Sequence, residues 1–303
     1  MPIPTNCPLC LAKANQQSVV TSHVYGDNSK QYAFFKCTSC DVNYLYPQLT
    51  KYQENNFYTK EFEGFMASRS GDNAGWDGPL KHIKANETQF KRRWQYLQKY
   101  LPPSGSILEI GCSSGFMLFP LKSMGYECAG VEPSGVFANY VNSQGITVLE
   151  NNDMVKNNFD IIMHFFVLEH VRDPIKFLQS NLDKLKSGGK LIIEIPNAAD
   201  PIYTIYNIPE FEKFYWSIAH HWYFTENSLE YVLKQLDGVS FSILRDQRYD
   251  LSNHMVWAMD GKPGGMGKFS DKLGIKVEDY YKQNLIETGK CDTLIAIVYK
   301  KDY

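Results

Sequence analysis

Apolar strand-like segments and amphipathic helix-like segments alternate through most of the sequence after residue 79, and this alternation restricts the fold more than any other feature. The predicted strands are residues 106–110, 126–131, 146–149, 159–163, 190–195, 239–244 and 293–299. The predicted helices are residues 79–101, 116–124, 134–144, 174–185 and 225–238. Strands that alternate with helices pair mostly in parallel, because each helix carries the chain back to the start of the next strand. We therefore predict an α/β fold with a doubly wound seven-stranded sheet that helices cover on both faces.

Four of the seven cysteines form two Cys-x-x-Cys pairs, Cys7 with Cys10 and Cys37 with Cys40. Each pair can present two thiolates from one turn, and four thiolates in a tetrahedron are a ligand set of structural Zn²⁺. We therefore predict a small zinc ribbon over residues 1–50, with strand-like residues between the two pairs. The alternative is a redox-active dithiol, which normally opens a helix after a strand, and neither pair has that context.

Charge limits the partners that this ribbon can have. The chain has 31 Lys and Arg against 33 Asp and Glu, a formal net charge of −2. Residues 1–50 carry three lysines against two aspartates, which is a poor surface for binding phosphates. We therefore do not expect a nucleic-acid partner, and we favour a structural or substrate-covering role for the ribbon.

The N-terminal residues bear on the compartment. No basic region followed by an apolar segment opens the sequence, and no apolar stretch approaches the length of about 18 residues that a membrane span needs. Thiols without a disulfide pattern are typical of reducing compartments. We therefore expect a cytoplasmic protein without a membrane partner.

Residues 51–78 are rich in Tyr, Asn and Gly and show no sustained period. We interpret them as a loop or short helices that form a linker or a lid. The ribbon at 1–50 and a larger domain at 79–303 lie on either side of them.

The sharpest motif lies where the first predicted strand of the larger domain enters a turn with two glycines, Gly111 and Gly115. Glycines at this point let a ligand approach the backbone at the carboxyl edge of a parallel sheet. The spacing is GxxxG rather than the GxGxxG of dinucleotide folds, so pyrophosphate contacts are not obviously provided. Glu132 ends the next strand, 21 residues after Gly111, where a carboxylate can accept hydrogen bonds from both ribose hydroxyls.

Glu109 before this turn, Glu132, Phe159-Asp160 at the start of the fourth strand and the segment 185–189 before the fifth strand occur in a fixed order. As a set they resemble the class I S-adenosylmethionine-dependent methyltransferases, over residues 79–245 and the last strand at 292–300. The resemblance implies a Rossmann-like sheet and S-adenosylmethionine as cofactor. The cofactor-binding residues that it implies are Glu109, Gly111, Cys112, Ser114, Gly115, Glu132, Pro133, Asp153, His164 and Phe165.

The resemblance assigns separate parts of the cofactor to separate residues. Gly111 and Gly115 would shape the turn under the methionine part, Glu109 would organise its amino end, and Glu132 would hold the ribose. Glu109 could instead cap the loop, Glu132 could be a solvated turn residue, and Cys112 could be a passive core residue.

Three further segments, 44–47, 167–171 and 219–225, are similar to bacterial methyltransferases of surface-polysaccharide and sugar-modification pathways. With the ribbon, the layout is similar to that of sugar C-methyltransferases, which also carry an N-terminal zinc part. Those enzymes have a further C-terminal domain, whereas this sequence ends with the methyltransferase segment. We therefore expect oxygen or nitrogen rather than carbon as the methylated atom, in a nucleotide-linked sugar or a glycan precursor.

Methyl transfer from an activated donor mainly requires that donor and acceptor be aligned. A neutral hydroxyl acceptor also needs a general base near neutral pH, and histidine suits that role. We predict His221 as the base and His170 as its alternative, with Glu169 as an orienting carboxylate or a capping group. His170 could instead anchor its loop, and His220 or His221 could be a buried ring.

The acceptor is expected to bind to an insertion at about residues 249–290, between the last two strands. Its mixture of polar and aromatic residues fits a loop that recognises a hydroxyl-rich ligand, although an ordinary surface loop would look similar. The predicted substrate-binding residues are His220, Tyr249, Asn253 and His254.

Two other functions stay open at this point. Ribosomal-RNA base methyltransferases can also pair a zinc ribbon with this fold, but the charge distribution counts against RNA. A non-enzymatic subunit that binds the cofactor beside a degenerate acceptor site is the other alternative. The sequence does not predict the oligomeric state.

Overall fold

Two sheets organise the part of the chain that the computed structural model describes, which is residues 3–70, 75–156 and 158–301. The first sheet contains β1 (Gln17–Thr21), β2 (Ala33–Cys37) and β3 (Asn43–Tyr46), and later β9 (Trp222–Tyr223). The second contains β4 (Ser106–Ile110), β5 (Glu127–Val131), β6 (Thr147–Leu149), β7 (Phe159–Phe165), β8 (Leu185–Pro196), β10 (Val239–Asp246) and β11 (Thr293–Lys300).

The second sheet has the strand order β10-β11-β8-β7-β4-β5-β6. All neighbours from β8 to β6 are parallel, whereas β11 is antiparallel to both β8 and β10. The predicted doubly wound seven-stranded sheet is therefore confirmed. The winding reverses direction between β4 and β7, and a crevice opens at the carboxyl ends of strands at such a point.

Twelve α-helices are assigned within the described residues. They are α1 (Lys51–Asn56), α2 (Phe62–Ser70), α3 (Pro79–Ala85), α4 (Glu87–Leu97), α5 (Leu118–Ser123), α6 (Gly135–Ser143), α7 (Pro174–Asp183), α8 (Pro209–Tyr215), α9 (Glu226–Leu233), α10 (Leu251–Asp260), α11 (Ser270–Leu273) and α12 (Ile275–Glu287). Thr50 and Thr225 begin α1 and α9 with capping boxes, and Asp173 caps α7. No helix in these described ranges combines the length and the apolar character that crossing a bilayer would need.

Apolar side chains cover both faces of the second sheet, because successive strand residues point to opposite sides. On β8, Leu191 and Ile193 contribute to an apolar cluster that includes residues of α7 and α9. Ile192 between them contributes to a second cluster, which includes residues of α4, α5 and α6. Burial of each such side chain stabilises the fold by about 1.5–3 kcal/mol before entropy is counted.

The short strand β9 joins the N-terminal sheet to the rest of the chain. It pairs antiparallel with β3, with Asn43 opposite Tyr223 and Tyr44 opposite Trp222. The apolar cluster on one face of the second sheet also includes Phe35 and Tyr44. The N-terminal sheet is thus completed by a strand from the C-terminal part of the chain.

One segment interpreted as a loop or short helices, and a second one expected to be a loop, are largely helical. Residues 51–70 of the predicted linker or lid form α1, a π-helical turn at Phe57–Glu61 and α2, while residues 71–74 lie outside the described residues. The predicted acceptor-binding loop at 249–290 consists largely of α10, α11 and α12. A loop was the wrong expectation here, because the Asp250 side chain accepts the N–H of Asn253 at 2.8 Å and begins α10.

Candidate active site

A cavity of about 810 Å³ lies in the crevice at the carboxyl ends of β4, β5, β7 and β8. Glu109, Ser113 and Glu132 line what we call its cofactor end. His170 and Tyr249 line the other end, which we call its acceptor end. Side chains from the segment 51–70 also line the cavity, so this segment contributes to its wall.

The glycine turn after β4 brings the backbone to the cavity wall. Gly111 has φ of 73°, and a Cβ atom added there would lie 2.7 Å from Val167 Cγ2. A side chain would therefore be both strained and blocked at Gly111. Gly115, at φ of 78°, packs against Phe119 and Val141 away from the cavity.

The two other predicted residues of this turn also lie behind the wall. Cys112 is fully buried in an apolar cluster, which fits its alternative interpretation as a core residue. The Ser114 hydroxyl lies 2.8 Å from His82 Nδ1. Both residues therefore support the turn rather than contact the cavity.

Glu132 is held by backbone donors on both carboxylate oxygens. The N–H of Ser113 donates to Oε2 at 2.8 Å, and the N–H of Ser134 donates to Oε1 at 2.9 Å. Burial raises the pKa of Glu132 to about 7, against the lowering effect of these two hydrogen bonds. Pro133 lines the cavity beside it, and Glu63 of α2 accepts from the Ser134 hydroxyl.

Glu109 is buried at the same end of the cavity. Its Oε2 has no hydrogen-bond partner among the described residues, and burial raises its pKa well above the usual range. An unsatisfied buried carboxyl oxygen is costly, and a donor or a cation on a ligand would satisfy it. The site therefore fits a ligand that presents a hydrogen-bond donor or a cation to Glu109 and hydroxyl groups to Glu132.

Of the three remaining residues predicted to bind the cofactor, one lines the cavity and two do not. Phe165 lines the cavity. His164 precedes it on β7 and is fully buried against Phe177, with the ring centroids 5.4 Å apart. Asp153 is exposed in the 3-10 turn Asn152–Met154. His164 and Asp153 thus lie outside the cavity lining, because strand alternation turns His164 to the other face of the sheet and the turn leaves Asp153 in solvent.

Glu169, His170 and His220 come together at the acceptor end. One ring nitrogen of each histidine and one carboxylate oxygen of Glu169 all lie within 4.8 Å of one another. His170 Nδ1 is 2.7 Å from the Ala219 carbonyl oxygen and 2.9 Å from the Tyr58 hydroxyl. Burial lowers the pKa of His170 to about 4 and raises that of Glu169 to about 8, so both are neutral at pH 7.

His221, the residue predicted as the base, lies behind the cavity wall. The ring Nε2 of His221 is 2.6 Å from Glu54 Oε1 of α1. Its backbone N–H donates to the Glu169 carbonyl at 2.8 Å, and its backbone carbonyl accepts the N–H of Leu45 at 2.9 Å. The pairing of β9 with β3 fixes this position. The structure therefore brings His170 and His220, rather than His221, to the cavity.

Two of the four predicted substrate-binding residues lie next to each other on α10, but only one of them faces the cavity. Asn253 lines the cavity, as Tyr249 and His220 do, whereas His254 lies outside the lining. His254 Nδ1 is 2.5 Å from the Tyr281 hydroxyl of α12. On a helix, adjacent residues point about 100° apart, so a loop-based prediction could not separate the two.

Sequence reasoning missed several polar and aromatic residues of the cavity, because the elements that carry them meet only in the folded chain. These residues are Tyr58, Glu63, Arg69, Trp76, His82, Asp200, Arg248 and Asp292. Arg248 had the one usable signal, its position next to Tyr249 in a segment already singled out.

The two Cys-x-x-Cys pairs meet in the N-terminal sheet. Cys7 Sγ lies 3.8 Å from Cys40 Sγ, Cys10 Sγ lies 3.6 Å from Cys37 Sγ, and the four sulfur atoms all lie within 4.8 Å of one another. Tetrahedral zinc with Zn–S bonds of about 2.3 Å places its sulfur ligands about 3.8 Å apart. All four cysteines are free thiols, so the arrangement fits a metal ion.

Residues 82–237, just over half of the chain, match a family model described as a methyltransferase domain. The chain is 31% identical over 122 residues to the tRNA U34 carboxymethyltransferase of Desulfotalea psychrophila, covering 36% of this chain and 38% of that protein. It is 28% identical over 113 residues to the ubiquinone biosynthesis O-methyltransferase of Ruegeria sp. strain TM1040, covering 33% and 44%. The match thus spans about two fifths of the length of these curated relatives.

Solved structures give a similar comparison. A SAM-dependent methyltransferase from Archaeoglobus fulgidus aligns with a TM-score of 0.47 and 19% identity, over 80% of this chain and 100% of that one. A SAM-dependent methyltransferase from Thermotoga maritima, described as a possible histamine N-methyltransferase, aligns with a TM-score of 0.46 and 22% identity, over 73% and 99%.

Proposed function

Because the chain belongs to the family of methyltransferase domains, we propose that it transfers a methyl group from S-adenosylmethionine to a small polar acceptor. The observation that carries the proposal is that one and the same cavity is lined by Glu109 and Glu132 at one end and by His170 and His220 at the other. Its volume of about 810 Å³ is near the upper end of the range of about 300–1,000 Å³ for ligand pockets. Such a cavity has room for a cofactor and a small acceptor together.

The cofactor end supplies what S-adenosylmethionine needs. Glu132, held by two backbone N–H groups, would accept hydrogen bonds from the ribose hydroxyls, and the unpaired Oε2 of Glu109 would meet the ammonium group of the methionine part. Gly111 would let the ligand lie against the turn. When bound, the cofactor supplies an electrophilic methyl group on its sulfonium.

The acceptor end supplies a proton acceptor. If His170 Nδ1 carries the proton and donates it to the Ala219 carbonyl, Nε2 keeps a lone pair. Glu169 is protonated at neutral pH, so it is the weaker candidate for a base. We propose His170, with His220 beside it, as the group that accepts a proton from an oxygen or nitrogen acceptor.

We propose a nucleotide-linked sugar or another glycan precursor as the acceptor, with oxygen or nitrogen as the methylated atom. The tyrosine, asparagine and histidine side chains at the acceptor end offer the hydrogen bonds and ring faces that hydroxyl-rich ligands use. The resemblance of three sequence segments to sugar-modifying methyltransferases supports the same class.

We also propose that Cys7, Cys10, Cys37 and Cys40 bind a structural Zn²⁺. The sulfur separations of 3.6 and 3.8 Å support this, and Gln17 Nε2 lies 3.6 Å from Cys37 Sγ as an outer contact. The ion would hold the N-terminal sheet to which β9 belongs.

Calorimetric titration of S-adenosylhomocysteine into the zinc-replete protein tests the proposed function. We expect binding at one site, followed by methyl transfer to a member of a nucleotide-sugar panel. Absence of heat at several temperatures, together with no protection against thermal unfolding, would contradict the proposal.

A further inference from the structure

Two arginines that line the cavity differ from the other four arginines of the chain. Each of the other four, Arg92, Arg93, Arg172 and Arg245, has a carboxylate oxygen within 4 Å. Arg69 and Arg248 form no such ion pair with any described residue, although both face the cavity. An enclosed guanidinium without an anion is costly, so the cavity offers two positive charges that a ligand can neutralise.

Arg248 is held in place by aromatic rings and leaves donors free. Its guanidinium lies 4.3 Å from the ring centre of Phe166 and 4.8 Å from that of Tyr249. Nη2 donates to the Tyr249 hydroxyl at 2.7 Å, while the buried Nε has no partner among the described residues. A guanidinium has five N–H donors, so three remain for a ligand besides the buried one on Nε and the one that Tyr249 accepts.

Asp292 is an acidic residue that contacts the backbone of Arg248, and its carboxylate is already occupied by hydrogen-bond donors. Oδ1 accepts the N–H of Arg248 at 2.9 Å and the Thr293 hydroxyl at 2.7 Å. Oδ2 accepts the Gln247 amide at 2.7 Å and the N–H of Tyr249 at 3.0 Å. Each oxygen thus has two donors, which explains why Asp292 fixes the backbone rather than the guanidinium.

Arg69 reaches the cavity from α2. Its guanidinium lies 4.4 Å from the ring centre of Phe214, and Nη2 donates to the Phe214 carbonyl at 3.2 Å. These contacts orient the side chain without neutralising its charge. Arg69 also raises the local positive potential that lowers the pKa of His170 and His220, after the larger effect of burial.

Other titratable groups at this end do not cancel the two charges. Burial raises the pKa of both Glu169 and Asp200 to about 8, so these acids are protonated at neutral pH. Burial lowers the pKa of His170 to about 4 and that of His220 well below its usual range, so the imidazoles are neutral. Asp292 also lines the cavity and interacts with the Arg248 charge, so one carboxylate opposes two guanidinium groups and leaves an excess of positive charge at the acceptor end.

We infer that the acceptor carries an anionic group, a phosphate or a carboxylate, which Arg69 and Arg248 bind at the acceptor end of the cavity. The inference rests on the proposed function and narrows its acceptor class. Guanidinium groups bind both anions through paired, charge-assisted hydrogen bonds. A nucleotide diphosphate and the carboxylate of an acidic sugar would each satisfy this site.

Titration of the full-length protein, saturated with S-adenosylhomocysteine, distinguishes the two sources of the anion. The probes are UDP and inorganic pyrophosphate for phosphate and glucuronate for carboxylate, with uridine and glucose as their neutral counterparts. We expect at least one anionic probe to bind. Equal affinity for the neutral counterpart, or no binding by any probe, would overturn the inference.

Substitutions then assign the binding to the two arginines. R69Q and R248Q should each weaken binding of that probe at least tenfold, and R69K and R248K should retain more affinity than the glutamine variants. R245Q, which removes an arginine paired with Glu226 outside the cavity, should leave it unchanged. Loss smaller than twofold in R69Q or R248Q would overturn the two-arginine assignment.

A further readout keeps the outcomes separate. S-adenosylhomocysteine affinity should stay within about twofold in every variant. Failure of the wild-type protein to bind S-adenosylhomocysteine would instead count against the proposed function itself.

Discussion

Glu132 shows how one side chain can be positioned for a ligand while its surroundings oppose its charge. Backbone N–H groups of Ser113 and Ser134 fix both carboxylate oxygens, yet burial raises the pKa to about 7. A ligand that donates hydroxyl hydrogens to the carboxylate favours the ionised form. Ligand affinity is therefore linked to the protonation of this residue near neutral pH.

S-adenosylhomocysteine affinity should fall as the pH drops below 7, by up to about tenfold per pH unit, because the protonated Glu132 must first lose its proton. E132Q should weaken binding about ten- to a hundredfold and reduce this pH dependence. Calorimetry between pH 5.5 and 8 measures both effects, with E150Q on the exposed Glu150 as control. Unchanged affinity in E132Q would remove the ribose assignment.

The two candidate bases should respond differently to substitution. H170Q should lower turnover at least about a hundredfold while sparing cofactor affinity, because its ring lines the acceptor end. H221Q should mainly lower the thermal midpoint, because it disrupts the 2.6 Å contact with Glu54 behind the wall. Turnover of the identified acceptor, cofactor titration and thermal unfolding decide between them. Turnover lost in H221Q but kept in H170Q would restore His221 as the base.

Residues on one helix show the limit of sequence reasoning at this scale. The sequence indicates that the segment around Asn253 and His254 is polar and aromatic, and it lies near the cavity. It does not reveal that α10 is a helix whose cap at Asp250 turns Asn253 inward and His254 toward Tyr281. Arg69 carried no local signal, because its role depends on α2 folding over the cavity.

At the scale of elements, a strong local periodicity of apolar residues was sufficient to predict a strand or a helix, and a weak periodicity was not. The strands and helices from β4 to β8 follow local apolar patterns, and the sequence predicts most of them with small shifts of their ends, although β8 begins five residues before the predicted strand. β9 has only two residues, and it is stabilised as a strand by pairing with β3, which lies about 180 residues earlier in the chain. No pattern within 219–225 could therefore predict it as a strand.

Metal removal should act on the N-terminal sheet first. A chelator, or C40S, should lower the thermal midpoint and increase hydrogen exchange in β1, β2 and β3, because the cysteines would no longer be held together by a shared metal ion. S-adenosylhomocysteine affinity should change much less, since Glu109 lies in the other sheet and Glu132 directly follows its strand β5. C128S, outside the cluster, is the matched control. Unchanged exchange after complete loss of bound zinc would contradict a structural ion.

At the scale of the molecule, the sequence predicts the sheet that forms the crevice and one end of the cavity. The cofactor end depends on two strand ends and a glycine turn, all of which are local features. The acceptor end is assembled from α2, the turn after β7, the segment before β9 and the start of α10. Contacts between such distant segments are set by tertiary packing, so the arginine pair was visible only in the structure.

The two-residue strand β9 has a consequence for engineering. Because it completes the sheet of β1, β2 and β3, the N-terminal unit cannot be exchanged as a cassette that ends at residue 50. A graft would leave the edges of β3 and β9 without their partners, and unpaired edges favour aggregation. A transplant between two related chains would therefore have to carry the segment 217–225 with it, and with that segment the part of the cavity wall formed by Ala219 and His220.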